Sequence, residues 1–161
     1  MKKYTYILAL FVIMLSACKK DEVIGGTAVQ DMSGEWWVQI DGEGGYYQLI
    51  TYNTADNSST QMWMDASGFW AGPGQHVSSK INVNVQDLTF SAENAPNVGE
   101  YESDEPLTMT ITNGKIIKNG AIGPSSKAVT DSISLTIKFS DDPDSYNLRG
   151  YHRTKFSGDD H

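Results

Sequence analysis

Apolar and polar residues alternate along much of this chain. Ile81, Val83 and Val85 interleave with Asn82, Asn84 and Gln86; Ile133, Leu135, Ile137 and Phe139 interleave with Ser134, Thr136 and Lys138. Neighbouring side chains of a strand leave opposite faces, so a period of two marks half-buried strands. Nowhere after residue 32 do apolar residues recur at i, i+3, i+4 and i+7 over a useful length. The pattern predicts a first strand within Ser33 to Ile40, with Trp36, Val38 and Ile40 on one face and Trp37 on the other. Further strands are expected at Tyr46 to Asn53, Thr60 to Asp65, and Lys80 to Gln86, the last continuing as Leu88 to Ser91 after a break at Asp87. Leu107 to Thr112 and Lys115 to Lys118 are expected to form a hairpin around Asn113-Gly114, whose residues accept positive φ. Ser132 to Ser140 and Tyr146 to Thr154 complete the set, and Ala92 to Pro106 reads as an acidic loop.

These eight to nine strands lack a helix long enough for a parallel crossover, so the fold class is all-β and antiparallel. An up-and-down barrel and a two-sheet sandwich both fit. Closure removes exposed strand edges, which favours a single barrel over residues 33–161.

Residues 1–17 change the picture at the N-terminus. Met1-Lys2-Lys3, a short apolar run from Tyr6 to Leu15, and Leu15-Ser16-Ala17-Cys18 read as a secretion signal, too short to remain as a membrane span. The last four residues resemble a bacterial lipobox, which implies diacylglycerol on Cys18. Cys18 is the only cysteine, so acylation would leave no thiol for disulfides, zinc or nucleophilic catalysis. Residues 18–32 read as a tether, and Lys19-Lys20-Asp21-Glu22 resembles the surface-export signal of some Gram-negative lipoproteins. Loss of residues 1–17 removes Lys2 and Lys3, taking the formal charge from −8 to −10. Such an acidic domain is expected to be repelled by nucleic acid and by anionic membrane surface. The expected membrane attachment is the lipid, at an outer membrane, on its periplasmic face or the cell surface.

Gly34-Glu35-Trp36 resembles the opening of lipocalin-like barrels. Gly120, Thr130-Asp131-Ser132-Ile133 and Gly150-Tyr151-His152-Arg153-Thr154-Lys155-Phe156 resemble the closing half of a Gram-negative lipoprotein family described as lipid-binding putative hydrolases. The resemblance implies a lipocalin-like barrel. It also implies barrel closure by Trp36 and an arginine of the last strand lying over its ring; Arg153 is the candidate and Arg149 the alternative. The family places a glycine where this chain has Lys155.

No catalytic constellation stands out. There is no Gly-x-Ser-x-Gly elbow and no zinc spacing, and no cofactor or metal is implied. His152 with Ser132 and Asp131 is the one combination a fold could assemble; His161 is expected to be mobile. Asp141-Asp142-Pro143-Asp144 reads as a solvated turn rather than a calcium loop. The apolar interior carries the functional expectation: a small hydrophobic or amphipathic ligand, or a lipid, lined by Trp36, Tyr47, Leu49, Met62, Met64, Val83, Leu107, Met109 and Leu135. Phe69 and Trp70, in a glycine-rich loop, read as a lid, a partner patch or a plug. The alternatives are a structural or interaction lipoprotein with a filled barrel, and an esterase-like hydrolase.

Overall fold

A computed structural model describes residues 25–70, 76–100, 102 and 106–161. The leader, Cys18 and the start of the tether lie outside the described residues.

Eight strands close into one antiparallel up-and-down barrel in sequence order. They are β1 Gly34–Ile40, β2 Glu43–Asn53, β3 Gln61–Ser67, β4 His76–Asn84, β5 Thr89–Pro96, β6 Thr108–Ile122, β7 Val129–Phe139 and β8 Tyr146–His152. The seam joins β1 to β8 with Trp36 opposite His152, Val38 opposite Gly150 and Ile40 opposite Leu148. The Arg153 backbone N–H extends it, donating to the Glu35 carbonyl at 2.8 Å. The inward positions of every strand meet in one apolar core.

The expected hairpin at Asn113-Gly114 is instead a bulge inside one long strand. Thr112 and Lys115 of β6 pair with Thr136 and Ser134 of β7, so β6 carries one extra residue there. Asn113 takes φ 55°, and a Cβ on Gly114 would strike the Phe90 carbonyl. A bulge and a two-residue turn both ask for residues tolerant of such conformations, so the dipeptide does not separate them. A second bulge, between Ile117 and Ala121, contains Asn119 at φ 54°. The break at Asp87 is a true reversal, with Asn84 opposite Thr89. The expected loop from Ala92 begins as strand, because β5 runs on to Pro96 past another irregularity that includes Asn94.

The connections alternate between two ends. The β1–β2, β3–β4, β5–β6 and β7–β8 connections belong to one end, called the mouth. The other three belong to the floor, with the segment before β1 and the segment after β8.

Candidate functional site

The floor is built from hydrogen bonds as much as from packing. A short 3-10 turn, Gln30–Met32, tucks Met32 under the barrel with Val29 beside it, both fully buried. Trp36 Nε1 donates to Thr51 Oγ1 at 2.9 Å, and that hydroxyl donates to the Met32 carbonyl at 2.6 Å. The buried indole and the turn are therefore satisfied through one threonine. The His152 ring stands edge-on to Trp36, centroids 4.9 Å apart, where a Cβ on Gly34 would collide with it. Burial lowers the His152 pKa, partly opposed by Asp131.

Arg153 does not lie over Trp36. Its guanidinium turns to the outer face, where Nε and Nη2 donate to Asp160 and Nη1 to Glu35, each at 2.7 Å. Hydrogen bonds to Asp160 and then Glu35 raise its pKa further. A bidentate carboxylate seven residues downstream matches the fork better than an indole face already taken by His152. Arg153 thus supports the seam from outside. The segment that follows is held down. Asp159 is fully buried and accepts from the Ser125 and Ser126 N–H groups and the Ser126 and Thr154 hydroxyls. Burial alone would raise its pKa; these bonds keep it well below the usual carboxylate range. His161, expected to be mobile, stacks on Tyr46 at 4.0 Å and meets the Tyr151 hydroxyl. The Tyr151 pKa is pushed up to about 12, by burial first and then by Tyr46 and Asp159. Lys155 takes φ 65°, so the left-handed conformation that a glycine would favour is adopted by a lysine.

The mouth is built differently. Phe69 folds inward until 7% exposed, between Tyr47 and Phe139, at centroid distances of 6.1 and 5.8 Å. Trp70 stacks on Phe139 at 4.3 Å and leans on Tyr146 at 5.3 Å. Its Nε1 donates to the Asp141 carboxylate at 3.2 Å. Burial, then the bond to Asp142 and the nearby Asp144 and Asp41, raise the Tyr146 pKa. Of the readings open for Phe69 and Trp70, this is the inward-folded one. The carboxylates of the β7–β8 turn are engaged locally: Asp142 accepts from the Asp144 N–H and the Tyr146 hydroxyl.

Between the two ends, the nine residues expected to line a pocket are brought into one cluster. Trp36, Leu49, Met62, Met64, Leu107, Met109 and Leu135 are buried in it; Tyr47 and Val83 are half-buried against it. Phe139 belongs to the same core and Tyr146 packs against it, while His152 meets Trp36 at the floor; none of the three was expected to line a pocket. Phe139 was legible as an inward strand residue, but its stacking partner comes from a loop without periodicity.

The candidate catalytic residues are not brought together. Ser132 sits opposite Tyr151 in the β7–β8 register, one position away from His152. Successive positions face opposite sides, so the serine points out while His152 points to Trp36. Asp131 is held by Lys118 Nζ at 3.1 Å and the Asn119 N–H at 2.8 Å. Among the described residues, no three His, Cys, Asp or Glu side chains gather as a metal site.

No curated protein matches this chain. Residues 21–157 match the model of a family described as lipid-binding putative hydrolase, and the chain belongs to that family.

Proposed function

We propose that this family member takes a lipid or amphiphile tail through the mouth, into the place now filled by Phe69. The observation that carries this reading is the contrast in how the ends are closed. A 3-10 turn bonded to Trp36 through Thr51 closes the floor, whereas two loop aromatics close the mouth. Swinging Phe69 outward would uncover Tyr47 and Phe139, the rings it packs against, to an entering chain. Apolar burial of about 25 cal/mol per Å² would supply the affinity. Met62, Met64 and Met109 give the deeper wall an adaptable surface. Membrane attachment through acylated Cys18, at the outer membrane, belongs to the same proposal and rests on the Leu15-Ser16-Ala17-Cys18 motif. A filled barrel that acts only through its outer face is the competing reading; the fully buried Met62, Met64, Met109, Ile111 and Ile137 favour it.

The deciding experiment is native mass spectrometry of purified protein after incubation with a bacterial lipid extract, followed by extraction and identification of the bound species. A stoichiometric adduct that disappears in Met109→Trp, which adds bulk to the buried core, supports the pocket. Absence of any adduct contradicts it.

A further inference from the structure

The β6–β7 hairpin overruns the floor. β5 has its last partner on β6 at Lys115, and β8 its last partner on β7 at Ser132. β6 and β7 nevertheless continue to pair through Ala121–Thr130 to Ile122–Val129. At this overhanging tip Ile122 is 61% exposed and Val129 64%. Phe156, 56% exposed, belongs to the segment that Asp159 fastens to the intervening turn through Ser125 and Ser126. Three large apolar side chains are thus left open to water around one turn, an arrangement that marks an interaction site.

The surrounding charge narrows the partner. Lys127 in the turn and Lys155 beside Phe156 are exposed. The acids near the tip are engaged: Asp31 and Asp131 with Lys118, Glu35 and Asp160 with Arg153, and Asp159 within its hydrogen bonds. Asp56 and Asp87 lie in the other two floor connections. At the mouth, by contrast, the β1–β2 and β7–β8 turns and the first residue of β2 contribute Asp41, Glu43, Asp141, Asp142 and Asp144 and no lysine or arginine. A chain that is acidic in total therefore presents an apolar tip flanked by lysines at one end only. The chain preceding β1 joins this same end, where the Ala28 N–H donates to Asn57 of the β2–β3 connection at 2.8 Å.

We infer that the Ile122–Val129 tip and Phe156 dock on an anionic bilayer surface, which turns the mouth away from that membrane. Aliphatic and aromatic side chains enter the headgroup region while Lys127 and Lys155 stay among the phosphates. The acidic mouth, repelled by the same surface, adds to the orientation. The protein would then exchange its ligand with the aqueous side rather than lift it from the leaflet beneath.

Residues 25–161 contain the whole closed barrel and its plug, so a chain of those residues tests the surface without Cys18. Its partition onto 7:3 phosphatidylcholine–phosphatidylglycerol vesicles is measured by cosedimentation. Lys127→Glu with Lys155→Glu is expected to lower partition at least tenfold, since each lysine near such a surface contributes about fivefold. Ile122→Asn with Val129→Asn should lower it comparably, with thermal melting unchanged. Glu43→Gln with Asp144→Asn should not weaken it. No binding by the unsubstituted chain, or binding indifferent to the tip substitutions, would overturn the inference.

Discussion

The two ends of this barrel are closed by different physics. At the floor, Trp36, Thr51 and the Met32 carbonyl form a buried hydrogen-bonded chain, and the seam above it is braced by Glu35, Arg153 and Asp160. At the mouth, Phe69 and Trp70 are held by ring contacts and by one bond of Trp70 to Asp141. Buried polar networks are costly to break because each separated group loses its partner without regaining water. Ring stacking on a loop carries no such penalty. The difference puts the buried hydrogen bonds at one end and loop stacking at the other, which is why we assign stability to the floor and propose access at the mouth.

The contrast can be broken at the floor first. Trp36→Ala removes a fully buried indole and leaves Thr51 without its donor. A loss of about 3–5 kcal/mol is expected in denaturant unfolding. Acid should act on the same end. The His152 pKa is lowered on folding, so its contribution is present above the ordinary histidine value of 6.5 and is lost as pH falls below it. Asp159 is likewise lowered, so its contribution is present above the ordinary value of 3.8 and disappears below it. Melting temperature measured against pH should decline in two stages on acidification, and His152→Gln should remove the first.

At the mouth, Trp70→Ala is expected to cost only about 1–3 kcal/mol, the size of two aromatic pairs. It should nevertheless speed uptake of a lipid probe in stopped-flow fluorescence. A stability loss as large as that of Trp36→Ala would erase the distinction between the ends. The smallest effect belongs to Lys155→Gly. It relieves a left-handed lysine, and chemical denaturation should show a gain of up to about 1 kcal/mol.

Much of this was legible in the residues. Strict alternation in Ile133 to Phe139 and the Gly34-Glu35-Trp36 opening gave an antiparallel barrel with the correct interior. Asn113-Gly114 misled, because local backbone preference cannot tell a turn from a bulge when β6 has partners on both sides. The partner of Arg153 was hidden for another reason. Glu35 reaches it only once the β1–β8 seam closes, and Asp160 only once the segment after β8 folds back, a contact set by Asp159. The mouth was legible only in outline. A glycine-rich loop with two aromatics announces mobility or plugging, and only the position of Phe139 beneath it decides which. Ser132 and His152 show the converse: residues suggestive in type and brought close by the pairing of β7 with β8 are put on opposite faces by period-two geometry.

Residue-resolved amide hydrogen exchange, with and without a saturating lipid probe, tests the central claim that the barrel opens at its mouth. The account predicts that Gly68, Phe69 and Trp70 exchange quickly in the free protein and gain protection with lipid. The seam amides of Trp37, Gln39 and Arg153 should exchange only with global unfolding in both states. Seam or floor amides opening before the mouth, or lipid protection confined to the floor, would contradict it.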